Sequence, residues 1–329
     1  TCRRVIEGNF SLVPDEDSST IAEMERAYDL MFNMVWLPPG RSLWISGTDF
    51  MHRVGGALVN CWGTVIAPHA YEEGGEPKVS FPFVFLFDQL MLGGGVGYSV
   101  ERKYIEQIPE VKSRIQLRVL CDPNHPDYEE VKALKPKFFA KDYLLHHPGE
   151  INTGKCTHYI VDDSREGWCE ALKTVIDAHW EQGDQSYVFI DISNIRAKGE
   201  PIKGFGGVAS GPAPLVEMLR FVNGLLNARK GRKITSVDAV DICNVIARCV
   251  IAGNVRRSAT LALGDADDLD FIQMKDYTLP QKDSLSQEER DYILWAQLNH
   301  RWASNNSVAI YDDTECDYDK LAELIAING

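Results

Sequence analysis

The feature that most restricts what this chain can fold into is its alternation of short apolar runs with long helical patterns. Ser186 to Ser193, SYVFIDIS, reads as a buried strand. GPAPLVEMLRFVNGLLNARKG, Gly211 to Gly231, follows as a strong helix, with proline in its first turn and glycine just past its basic end. SVDAVDICNVIARCVIAG is a second, with Ser236 as its cap and Gly253 as its terminator. SATLALG and NSVAIYDD read as further strands, and YDKLAELIA as a closing helix. Strands that alternate with long helices indicate an α/β fold.

The first two-thirds obeys the same grammar less strictly. Residues 19–35 read as a helix, because Ile21, Met24, Tyr28, Met31, Phe32 and Val35 recur at helical spacing behind a Ser18, Ser19 or Thr20 cap. Pro38 and Pro39 end it. FPFVFLFDQLML, Phe81 to Leu92, is an apolar run dense enough to be buried, and GGGVGYSV follows it. SRIQLRVL and HYIVDD read as strands, and REGWCEALKTVIDAHW as an amphipathic helix with Trp168, Leu172, Val175, Ile176 and His179 on one face. The four prolines between Asp122 and Thr157 mark that stretch as irregular.

Composition narrows the function. The 329 residues carry a formal net charge of −14, which argues against nucleic acid or an anionic membrane as partner. No apolar run is long enough for a membrane span and no signal peptide opens the chain, so a cytoplasmic protein is expected. The chain starts at Thr1 and stops directly after a helical pattern, so both ends read as cut. None of the eight cysteines forms a C-x-x-C pair, so neither a zinc ribbon nor a disulfide scaffold is indicated. His146 and His147 lack metal-ligand spacing, and no metal site is expected.

Three stretches carry chemistry. In GGGVGYS the glycines miss the dinucleotide spacing, but they let a backbone approach a ligand or a neighbouring strand. NIRAKGEPIKGFGG, Asn194 to Gly207, offers Arg196, Lys198 and Lys203 from a glycine-rich loop in an acidic protein, a pattern suited to a polyphosphate or to a solvated surface loop. GNVRRS, Gly253 to Ser258, joins a helix end to a strand through two adjacent arginines. That arrangement suits carboxylate or phosphate pairing, or simply the negative end of a helix dipole. Cys61, alone in VNCWG, is either a core thiol or a redox thiol whose partner lies far away in sequence.

Taken in order, LPPGRSLWISGT, NCWGTVI, LMLGGGVGYSVE, DDSREGW, NIRAKGEPIKGFGGVASGPAPLVEML, GNVRRSATLALGD and HRWASNNSVAI resemble the monomeric, adenosylcobalamin-dependent (class II) ribonucleotide reductases of the ribonucleoside-triphosphate type. The resemblance implies the first part of a ten-stranded α/β barrel carrying an α+β insertion. Residues 1–100 would start the barrel, 101–192 would be the insertion bordering an allosteric specificity site, and 193–329 would continue the first barrel half. The family's radical cysteine, in an NPCGE motif, and its catalytic glutamate are expected beyond Gly329. By the same resemblance, Cys61 is one of two redox thiols, its partner outside the chain. Thr48, Asn60, Gly94, Gly95 and Arg256 would contact substrate, and Arg196, Lys203, Asn254 and Arg257 would serve a deoxynucleoside triphosphate effector. Implied partners are a ribonucleoside di- or triphosphate substrate, a thioredoxin-like reductant and the C-terminal half of the same enzyme. Two other readings stay open: a class I (di-iron-dependent) large chain, and a non-catalytic nucleotide-binding half of a split reductase.

Overall fold

The structure, a computed structural model, describes residues 1–13, 18–134, 138–140, 156–181, 186–202, 207–252, 259–278, 280, 284–311 and 316–328. The chain divides into two compact units, Thr1–Asn60 and Cys61–Gly329.

The first unit is helical: Cys2–Phe10, Ser18–Phe32, Gly40–Ile45 and Asp49–Arg53, then a 3-10 turn at Gly55–Leu58. Its small core gathers Val5, Ile6 and Met31 against Met24, Tyr28 and Leu43. The Cys2–Phe10 helix meets the turn at Gly47 backbone to backbone. A Cβ on Gly8 would fall 2.2 Å from the Gly47 nitrogen, and Gly47 itself sits at φ +70°, so only glycine serves at either place. The Arg4 guanidinium secures this contact by donating to the Ser46 and Leu43 carbonyls.

The second unit holds two parallel sheets. The first runs β1 (Cys61–Val65), β2 (Gly95–Ser99), β7 (Ala259–Asp265) and β8 (Ser304–Ala309), in that spatial order. The second is ordered β4 (Phe138–Ala140), β3 (Ile115–Cys121), β6 (Ser186–Asp191), β5 (Cys156–Ile160). Every pairing within the two sheets is parallel. Parallel neighbours need crossovers, and the long helices supply them. Ser80–Met91 and Ser236–Ile251 pack on the first sheet, Arg165–Trp180 and Ala213–Ala228 on the second, and the two helix pairs pack on each other. One core runs through all of this, from Leu86 and Phe87 through Leu172, Val175, Leu219 and Ile246 to Val188. Four parallel strands ordered as in the chain and backed by helices give the α/β class that the sequence pattern indicated, and they are consistent with the first part of the α/β barrel that the resemblance implied.

The helices begin where local chemistry lets them. Ser164 accepts from the Gly167 nitrogen at 3.0 Å. Thr235 caps Ser236–Ile251 in a capping box with Asp238, so the cap lies one residue before the Ser236 that sequence reading selected. Gly253, its expected terminator, lies outside the described residues. The Asp122–Thr157 stretch is more ordered than its prolines implied: it contains the helix Tyr128–Ala133, all of β4 and the start of β5. Prolines 123 and 126 precede that helix instead of interrupting it.

Candidate functional site

Two places in the second unit collect the residues singled out by sequence. The first is the N-terminal end of the first sheet. Cys61 opens β1 and is exposed; its register partner on β2 is Gly95, and the partner of Gly95 on β7 is Ala259. The redox candidate, the triple glycine and the first described residue after the twin-arginine connector therefore form one row across three strands. The glycines also end the Ser80–Met91 helix. Gly93 has φ +76° and donates to Leu90 O at 2.8 Å, and Gly94 donates to Gln89 O at 2.9 Å. Gly94 is buried beneath Trp62, where a Cβ would stand 3.0 Å from the indole Cδ1. The Trp62 indole N–H has no hydrogen-bond partner among the described residues.

The row lies opposite the end where open parallel sheets usually bind ligands. At that other, C-terminal end, Glu101 is closed off. Ser99 and Tyr311 each donate to it at 2.7 Å, and the Lys103 ammonium stands 2.9 Å away. Burial works against its charge, but these partners prevail and hold the carboxyl below its ordinary range.

Thr48 and Asn60 belong to the first unit. Thr48 is half-buried and donates its hydroxyl to Ile45 O at 2.6 Å, while Asn60 is exposed and directly precedes Cys61 in the chain. Asn254, Arg256, Arg257 and Lys203 lie outside the described residues.

The second place is a cleft of about 180 Å³. Its apolar side is formed by Phe87, Met91 and Trp168, and its polar side by Asp163, Ser164, Arg165, Arg196 and Ser210. Arg196 is half-buried; its Nε donates to Asp163 at 2.8 Å and its Nη1 to Pro201 O at 3.1 Å. The 16-residue helix Arg165–Trp180 starts in this wall, so its positive end adds to the two guanidiniums. Asp163, Ser164 and Trp168 were not among the residues assigned from sequence. Their one signal was the helix-start pattern of DDSREGW, which places its leading side chains at a helix N-terminus. Cys249 also lines the cleft; it is buried, its thiol pushed up by desolvation.

Residues 115–226 match the family described as B12-dependent ribonucleotide reductase, insertion domain, and residues 1–48 match the ribonucleotide reductase alpha domain. The adenosylcobalamin-dependent ribonucleoside-triphosphate reductases of Lactobacillus delbrueckii subsp. bulgaricus and Lacticaseibacillus paracasei are each 42% identical to this chain across its whole length. The chain belongs to the class II ribonucleotide reductase family. A crystal structure of a B12-dependent (class II) ribonucleotide reductase superposes with a TM-score of 0.78 at 40% identity, covering 94% of this chain and 42% of that one. The chain spans 44% of the length of the curated reductases it matches. No described helix is long and apolar enough to cross a membrane.

Proposed function

We propose that this chain is the N-terminal portion of an enzyme that reduces ribonucleotides to 2′-deoxyribonucleotides by radical chemistry. In this reading Cys61 is one of two thiols that deliver the electrons. The two S–H groups become a disulfide, the 2′ C–OH becomes C–H, and the hydroxyl oxygen leaves as water. A thioredoxin-like protein then reduces the disulfide, which must be labile to allow another turnover. The observation that carries the reading is the row Cys61, Gly95, Ala259: an exposed sulfur stands beside a strand that begins at glycine, and that strand's other neighbour follows two arginines in the chain. Glycine backbone at Gly95 would admit the ribose, with Gly94, Thr48, Asn60 and Arg256 as the further substrate contacts that the resemblance implies. The substrate is a ribonucleoside di- or triphosphate.

We assign the cleft to a deoxynucleoside triphosphate effector. Trp168 and Phe87 would face the base, Arg196 and the helix end would face phosphates, and Lys203, Asn254 and Arg257 would complete the site. The division into residues 1–100, 101–192 and 193–329 is supported by the sheets: all strands of the second sheet fall inside 101–192, and all of the first fall outside it.

Adenosylcobalamin would supply the initiating radical. The described residues do not fit it: the cleft of about 180 Å³ is far too small to enclose a corrin. The reading is tested with the complete polypeptide, adenosylcobalamin, a ribonucleoside triphosphate and a dithiol protein reductant. Cys61→Ser should remove multiple turnover, a loss of at least about 1,000-fold, as expected when one member of a catalytic unit is deleted. Sustained turnover by the variant with the protein reductant would refute the role of Cys61. A requirement for a separate di-iron subunit would move the enzyme to class I.

A further inference from the structure

The cleft and the glycine turn share one helix. Phe87 and Met91 of Ser80–Met91 stand in the cleft wall, and on the same helix Asp88 forms an ion pair with Arg165, itself a cleft residue. The other Asp88 oxygen accepts from Gln89 Nε2 at 3.0 Å. One turn later the backbone of Gln89 and Leu90 holds Gly94 and Gly93, and β2 starts at Gly95 beside Cys61. The side chains of Arg165 and Asp88 are only 23% and 26% exposed, so the pair is partly shielded from solvent yet open to an anion in the cleft. A polyanion there would compete with Asp88 for the Arg165 guanidinium, whose planar fork matches phosphate as well as carboxylate. Any shift of the helix end passes to Trp62, because Gly94 already sits against its indole.

We infer that Asp88 is a positioning residue. Through Arg165 it ties occupancy of the cleft to the placement of the Gly93–Gly95 turn beside Cys61. The inference rests on the cleft being a nucleotide site. The physical content is differential: the occupant must change the Arg165–Asp88 pairing, or it shifts nothing.

The test uses the complete polypeptide, with dATP, dGTP and dTTP as probes. Binding is followed by calorimetry, amide hydrogen exchange is read over Gly93–Gly97, and alkylation of Cys61 is read by peptide mass. Wild-type protein should bind at least one probe and change its exchange over Gly93–Gly97 by about five-fold, the scale of ordinary coupling between sites. Asp88→Asn should still bind at saturating nucleotide but lose that response, and Asp88→Glu should restore it. If Asp88→Asn fails to fold, Arg165→Gln, compared at saturation, breaks the same pair from the other side. Binding with no change at the glycine turn, or a full response in Asp88→Asn, overturns the inference and leaves the effector reading standing. Loss of all binding in a folded Asp88→Asn makes Asp88 part of the binding wall and also overturns it. If wild-type protein binds none of the probes, the effector reading fails first and the inference with it.

Discussion

The strand end around Cys61 and the helix layer behind it use the same residue types in opposite ways. At the strand end a cysteine is exposed, its register partner is a glycine, and an indole N–H has no partner among the described residues. In the helix layer Cys169, Cys243 and Cys249 are buried, and desolvation pushes their thiols up, that of Cys169 to about 12. The thiolate is the reactive form, so those three are packing residues while Cys61 has access to a reactant. The contrast extends to charge. Asp241, 1% exposed, meets Arg301 through two bonds of 2.9 and 2.8 Å, with His300 Nε2 at 3.0 Å. Burial opposes the Asp241 charge, but His300 and Arg301 outweigh it and hold the carboxyl below its ordinary range. The molecule thus seals its charges where it needs rigidity and leaves backbone and sulfur open where the proposed chemistry occurs.

The sealed side should yield the largest effect. Asp241→Asn removes one partner and leaves Arg301 buried without a countercharge, which costs about 3–5 kcal/mol in comparable buried pairs. Denaturant unfolding measures it. The pH dependence has a definite sign. A depressed folded pKa means that the stabilisation is complete above the unfolded value, about 3.9, and is lost as pH falls through the folded one. The stability gap between wild type and Asp241→Asn should therefore narrow below about pH 4. A gap that stays constant into acid would show that the pair does not carry it.

Thiol labelling probes both sides at once. Under native conditions an alkylating reagent should modify Cys61 at least about 100-fold faster than Cys243 or Cys249, whose reaction needs local opening of the core. Peptide mass spectrometry reads the ratio. Comparable rates would mean that the helix layer opens easily and that the contrast in reactivity is not real.

How far sequence reading reached follows from which signals are local. The strands β3, β5, β6, β7 and β8 and the helices Arg165–Trp180 and Ala213–Ala228 were legible because hydrophobic periodicity and Pro/Gly punctuation are written within each segment. The cap of Ser236–Ile251 was displaced by one residue because Thr235 and Ser236 both qualify, and only the reciprocal bond to Asp238 decides between them. The order within Asp122–Thr157 was hidden because prolines mark helix starts as well as interruptions. Arg196 was legible as a cation in a glycine-rich loop. Its partner Asp163 was not, because their meeting depends on the crossover through β6. Asp88 was illegible for the same reason: nothing in FPFVFLFDQLML shows that its one acid meets Arg165.

The smallest effect concerns the strand end itself. Gly94→Ala places a methyl 3.0 Å from Trp62 Cδ1 and 3.2 Å from Gln89 O. The backbone carbonyl is fixed by the helix end, so the indole must move. Overpacking of this kind costs about 1–3 kcal/mol, readable as a shift in thermal unfolding. Because Trp62 follows Cys61 on β1, the same substitution should also alter the rate of Cys61 alkylation, while a purely structural cost in the helix layer would leave that rate alone. A second substitution separates the two outcomes. Trp62→Phe shortens the ring, so combining it with Gly94→Ala should recover part of the lost stability, as expected for two groups in direct contact. Strict additivity of the two would show that the turn and the indole are not in contact, and the glycine would then be explained by backbone conformation alone.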